Sequence, residues 1–103
     1  MATVAIQLTE IVRHLVSSYA TKGTSPLRNV QVYYVENLQE QVFSVVAPYN
    51  PKHNRPDLVL MARIVNDQVI IDIDKTTVPL FNELKRAGVP ESQIVFAWQK
   101  NSE

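Results

Sequence analysis

Residues 66–98 (NDQVIIDIDKTTVPLFNELKRAGVPESQIVFAW) restrict the fold more than any other stretch of this 103-residue chain. Asn66-Asp67 fits a tight two-residue turn, because both residue types tolerate left-handed backbone geometry. The turn joins two apolar runs. Residues 57–65 (DLVLMARIV) carry apolar side chains on nearly every position of both faces, the pattern of an interior strand covered on both sides. Residues 68–74 (QVIIDID) return as a strand with Val69, Ile71 and Ile73 on one face and Ile70, Asp72 and Asp74 on the other. A helix follows, with Thr76 or Thr77 as its cap and Pro79 in its first turn, where a missing N–H costs little. Leu80, Phe81 and Leu84 make its apolar face, and Lys85 and Arg86 suit the dipole at its end. Gly88 in a left-handed conformation stops the helix, and Pro90 follows. Residues 94–98 (IVFAW) read as a last strand.

Upstream, Leu8, Ile11, Val12, Leu15, Val16 and Tyr19 recur at helical spacing and predict an amphipathic helix over 4–20. Arg13 is the only basic residue inside it, so packing on a sheet suits it better than lying on a membrane. Lys22 and Gly23 suit its end. The polar, proline-bearing 24–28 is a loop. Residues 29–36 and 41–47 alternate as strands, joined by a turn over 37–40 into an antiparallel hairpin. Residues 48–56 (PYNPKHNRP) hold three prolines, each removing a ladder donor, and read as a loop. The expected fold is therefore α+β in the order α-β-β-β-β-α-β: one compact domain over 1–103, a mainly antiparallel sheet with two helices.

Composition excludes several classes. Hydrophobic residues make up 46% and charged residues 19%, enough for a packed core and unlike a disordered chain. Without cysteine, neither disulfides nor thiolate zinc can staple the fold. Ten basic residues cancel ten acidic ones, against the basic excess of an autonomous DNA-binding domain. No apolar run reaches the about 18 residues of a membrane helix, and the first residues lack the pattern of a signal peptide. The chain reads as soluble and cytoplasmic.

Candidate chemistry is sparse. Asp72 and Asp74, two apart on a strand, are expected to point to one face and so offer a polar site, in principle a metal pair or an acid and base. The competing reading puts Asp74 at the helix start as a cap. With Gly23 and Gly88 the only glycines, no phosphate-cradling loop exists. There is no G-x-S-x-G or cysteine nucleophile. Lys52, His53 and Arg55 concentrate positive charge in the 48–56 loop and, with Arg63, are candidates for contact with DNA or a partner. Trp98, near the chain end on an edge-like strand, is a candidate interface anchor. No catalytic residue, cofactor or metal ligand set is assigned. Five strands in 103 residues leave edges and an apolar face uncovered, which implies a homo-oligomer.

The run Asp74-Lys75-Thr76-Thr77, then Asn82-Glu83-Leu84, Ala87-Gly88-Val89-Pro90 and Gln93-Ile94-Val95, resembles the C-terminal half of the XisI family. That family is typified by the fdxN element excision controlling factor of heterocyst-forming cyanobacteria. Ser18-Tyr19-Ala20 also resembles the end of the family's first helix. The 48–56 loop, Met61, Arg63 and Lys75 depart from the family pattern, as in a divergent subgroup. The resemblance implies an α+β domain that is not an enzyme, a regulatory or accessory factor in programmed DNA excision working through protein–protein contacts beside an XisH-like partner. Two other readings stand beside it: a DNA-binding accessory protein using the 52–55 basic loop, and a metal-dependent enzyme centred on Asp72 and Asp74.

Overall fold

A computed structural model of the chain describes residues 2–23, 31–50 and 54–102. Helix α1 (Ala2–Gly23) buries the stripe its spacing predicts: Leu8, Val12 and Val16, with Ala20 one turn further on. Ile11, Leu15 and Tyr19 pack at the margins of that stripe. The helix runs through Lys22, whose charge sits in its last turn.

Five strands follow: β1 (Tyr33–Asn37), β2 (Val42–Asn50), β3 (Arg55–Val65), β4 (Gln68–Asp74) and β5 (Ile94–Phe96). They form one sheet in sequence order. β1 to β4 are antiparallel, and β5 runs parallel to β4. A parallel neighbour requires a crossover, and helix α2 (Leu80–Arg86) supplies it. The order α-β-β-β-β-α-β and the α+β class are those expected.

Local chemistry accounts for the turns. Asn66 and Asp67 have φ of +51° and +63°, the doubly left-handed hairpin turn that matches the twist of its strands. In the β1–β2 loop, Asn37 Oδ1 accepts the Glu40 N–H at 3.0 Å, and Gln41 closes the loop at φ +57°. At the end of α2, Val89 N–H donates to Leu84 O and Gly88 N–H to Lys85 O, both at 3.0 Å, with Gly88 at φ +104°. This is the Schellman stop that the glycine implies.

Other expectations change. Asn29 and Val30, the start of the expected first strand, lie outside the described residues, as does the 24–28 loop. Pro48 and Pro56 belong to β2 and β3 rather than to a loop. The ladder slips between Ala47 and Asn50, so Pro48 sits where regular pairing is already interrupted. Neither threonine caps α2: Pro79 occupies the N-cap position with no side-chain hydrogen bond. Trp98 lies not on a strand but in the 3-10 helix Ala97–Ser102.

Two one-residue bulges decide which side chains face which way. In β3, Leu60 pairs with Val45 but Leu58 with Val46, so Val59 is extra. In β4, Ile71 pairs with Ala62 but Ile73 with Met61, so Asp72 is extra. A bulge shifts the alternation of every residue beyond it. The helix-facing core takes Phe43, Val45, Leu60, Ala62, Val69 and Ile71 from the sheet, and both helices pack in that one layer. β3 is the central strand, but helices cover only one of its faces. Met61 on the other face is half-buried, and Val65 there is 38% exposed.

Candidate functional site

The β4 bulge separates the two strand carboxylates. Asp74 pairs with core-facing Leu60 and therefore turns toward the helices, while Asp72 stays beside Met61 and Arg63 on the opposite face. The expectation of one shared face fails because it assumed unbroken two-residue alternation.

Each carboxylate is already engaged. Asp74 Oδ2 accepts the Leu80 N–H at 2.8 Å, and Oδ1 accepts the Thr76 N–H at 2.9 Å and its hydroxyl at 2.5 Å. It thus caps α2 from six residues upstream, in place of a threonine. Asp72 accepts both arms of Arg63, at 2.7 Å from Nε and 3.0 Å from Nη2. That pairing raises the Arg63 pKa above its ordinary value, chiefly through the hydrogen bonds to Asp72. Among the described residues no group of three or more His, Cys, Asp or Glu comes together.

A cleft of about 510 Å³ opens between the C-terminal half of α1, Val32 ahead of β1, strands β2 and β3, and the β4–α2 corner. Leu15, Val32, Val45 and Val59 form its apolar floor, and Tyr19 and Thr76 its polar wall. The Tyr19 hydroxyl donates to Val78 O at 2.6 Å. Its pKa is pushed up to about 12, first by burial and then by the charges of Asp74 and Glu83. It is a fixed donor, not a base.

At the β1 edge, Arg13 donates from Nε to Glu36 Oε1 at 3.0 Å and from Nη1 to Glu10 Oε2 at 3.1 Å. The Tyr34 hydroxyl donates to Glu36 Oε1 at 2.6 Å. These bonds hold the Glu36 carboxyl below its usual range, the Tyr34 bond contributing most. The cluster ties α1 to the sheet edge: Glu10 and Arg13 are three apart on the helix and Tyr34 and Glu36 two apart on the strand, but no spacing rule joins the two pairs.

The third feature is an aromatic row. Phe81 of α2 lies 5.3 Å from Phe96 of β5, and Phe96 lies 5.0 Å from Trp98, both pairs tilted. Lys85 Nζ sits 4.9 Å above the Phe81 ring and 3.4 Å from Glu91 Oε1. Trp98 is 57% exposed. A hollow of about 290 Å³ beside the row is lined by Phe81, Glu91, Ile94, Val95, Phe96 and Gln99.

Known proteins place this geometry. The family model described as XisI protein matches residues 1–103. The chain belongs to the XisI family. Among solved structures, an XisI-like protein from Anabaena variabilis superposes with a TM-score of 0.80 at 19% identity, over 95% of this chain and 94% of that one. The fdxN element excision controlling factor XisI from the same species superposes with a TM-score of 0.76 at 17% identity, over 96% of both chains. At that identity the two share the fold with this chain. Comparison with curated proteins finds no match.

Among the described residues, those singled out in this XisI-family sequence do not assemble into one site. Lys52 and His53 lie outside the described residues. Arg55 is exposed at the start of β3, and Arg63 is eight residues along the same strand, roughly 26 Å away at strand rise. Arg63 is moreover held by Asp72, so it is no free cation for a phosphate. Trp98 is exposed as expected, but on a 3-10 helix rather than a strand. Sequence reading missed Phe81, Lys85 and Phe96 as its companions. The signals were present: Phe81 and Lys85 are four apart on α2, and Phe96 and Trp98 two apart at the chain end. No helix among the described residues is long and apolar enough to cross a membrane.

Proposed function

We propose that this chain is a non-enzymatic regulatory factor for programmed DNA-element excision, acting in the cytoplasm by binding a protein partner rather than by chemistry or by gripping DNA. Membership of the XisI family and the likeness to an Anabaena protein named as an excision controlling factor support the regulatory role. The observation that carries the contact mechanism is the aromatic row ending in exposed Trp98. Large aromatics with a flat face and one wet edge are the residue class that anchors interfaces. The row lies against β5, which among the described residues pairs with β4 and is an end strand of the sheet. An extended segment of a partner can pair there and seat an apolar side chain in the hollow beside Phe96. Lys85 and Glu91 flank the hollow with both charge signs.

The partner we assign is an XisH-like protein. Co-expression with an XisH-like protein should yield a complex that survives native purification, and Trp98→Ala should weaken it about 30-fold, the loss of one strong anchor. Absence of any complex sinks the partner assignment, and a complex indifferent to Trp98→Ala sinks the surface. DNA is reached through the partner in this reading. Salt-dependent duplex binding by the chain alone, abolished by Lys52→Ala/Arg55→Ala, would instead favour direct DNA contact.

A further inference from the structure

The sheet face opposite the helices has the wrong composition for a surface left in water. A sheet with one solvated face normally alternates apolar inward and polar outward. Here the outward positions include Tyr33 and Val35 of β1, 45% and 50% exposed, and Val65 of β3, 38% exposed. Met61 of β3 and Ile73 of β4, partly buried, are cross-strand neighbours on the same face. None of these five belongs to the helix-side core. Among the described residues, the 3-10 helix Ala97–Ser102 covers the β4–β5 end of the face, and there Ile70 falls to 2% exposure. The open part spans four strands, about 20 Å across and about 22 Å along, or roughly 450 Å² in projection. That is within the range of the largest patches monomers leave exposed, which are often functional.

We infer that this face packs against the same face of a second copy about a two-fold axis, giving a helix–sheet–sheet–helix sandwich. The polar groups near the middle of the face choose the occupant. Arg63 and Asp72 form a two-armed pair there, so the face carries both signs in balance and presents no net charge to select an acidic or basic partner. The chain as a whole is neutral too. A two-fold contact sets the same patch against itself, each apolar residue meeting another of the same patch and the reverse contact repeated across the axis. No charge is then buried without an opposite charge already bonded to it. The area falls short of the ~800 Å² per partner of a standard interface, so the dimer is expected to be micromolar.

Sedimentation equilibrium across a range centred on tens of micromolar tests this. The wild-type mass should rise from 11.7 kDa toward twice that value. Val35→Glu on β1 and Val65→Lys on β3 are exposed enough to leave folding intact, checked by circular dichroism, and each should weaken dimerisation at least tenfold. Requiring both separates the face from simple pairing at the β1 edge, which Val65→Lys does not touch. Trp98→Ala should leave the dimer unchanged, so failure here and failure of the partner surface are distinguishable. A monomer at every concentration overturns the inference. So does a dimer that ignores either face substitution, or binding of the XisH-like protein that is lost with Val35→Glu and kept with Trp98→Ala.

Discussion

Asp74→Ala should destabilise the domain by about 3 kcal/mol, and Asp74→Asn by about half as much. The carboxylate accepts the Leu80 N–H at 2.8 Å and the Thr76 N–H at 2.9 Å, with the Thr76 hydroxyl on the same oxygen. Leu80 is fully buried, so its N–H has no route to water once the acceptor is gone. An orphaned buried donor costs about 1–3 kcal/mol. Loss of the anion at the helix start adds about 0.3–1 kcal/mol, and release of the Thr76 bonds, partly exposed, about another 1. Asparagine keeps one carbonyl oxygen but aims an NH₂ group at the second set of donors, so only one side of the cap survives.

Urea unfolding followed by Trp98 fluorescence and by circular dichroism reads the loss directly. At the usual slope for a domain of this size, 3 kcal/mol moves the midpoint by about 1–3 M urea. The same loss lowers Tm by roughly 12–24 °C. Asp72→Ala is the comparison: Arg63 keeps 37% of its side chain in water, so losing that pair should cost only about 1 kcal/mol. The reasoning fails if Asp74→Ala costs less than Asp72→Ala. It also fails if Asp74→Asn raises stability, the outcome typical of a residue strained for function rather than committed to the fold.

Gly88→Ala should cost about 1 kcal/mol, from backbone geometry alone: φ is +104° and nothing lies within 4 Å of the added carbon, so thermal melts should show a modest loss without aggregation. Tyr19 supplies a pH test. Its folded pKa is raised from 10.0 to about 12, so its contribution is complete below pH 10 and fades as pH rises toward 12. Tyr19→Phe should therefore flatten the stability loss between pH 10 and 12 in urea titrations; an unchanged slope would contradict it. Glu36 works in the other direction. Its folded pKa lies below the ordinary 4.5, so its contribution is present above that value and disappears on acidification, and Glu36→Gln should lessen the loss of stability below pH 4.5.

Element identity was legible where local chemistry carries it. The Asn66-Asp67 turn, the α1 stripe and the Gly88 stop each depend on residues within one or two turns of one another, and each formed as read. What lay beyond the sequence was register. Nothing in DLVLMARIV or QVIIDID announces that Val59 and Asp72 are extra residues, because a bulge depends on how a strand meets its neighbour. The cap was legible in part: Asp74 at the helix start reads as a cap and forms one, while Thr76 and Thr77 do not cap α2. The capping oxygen comes from the strand six residues upstream of Leu80, whereas sequence rules look one to three residues back.

The Asp72 bulge links these errors to function. With unbroken alternation, Asp72 and Asp74 would stand together on one face as a carboxylate pair, and Arg63 would face both. One inserted residue gives Asp74 to α2, where it fixes the corner leading to the Phe81–Phe96 contact and so the base of the Trp98 row. The same insertion leaves Asp72 alone with Arg63, which turns a potentially acidic face into a neutral one among valines. A face with two carboxylates would repel its own copy; a neutral one can meet it. Deleting Asp72 leaves the remaining pairings in regular alternation, Ile71 with Ala62, Ile73 with Met61 and Asp74 with Leu60. Asp74 should therefore keep the Leu80 N–H and α2 its cap, so the Trp98-dependent partner contact should survive, while Arg63, left on the sheet face without its carboxylate, should weaken the dimer; loss of the partner contact on this deletion would refute the reasoning.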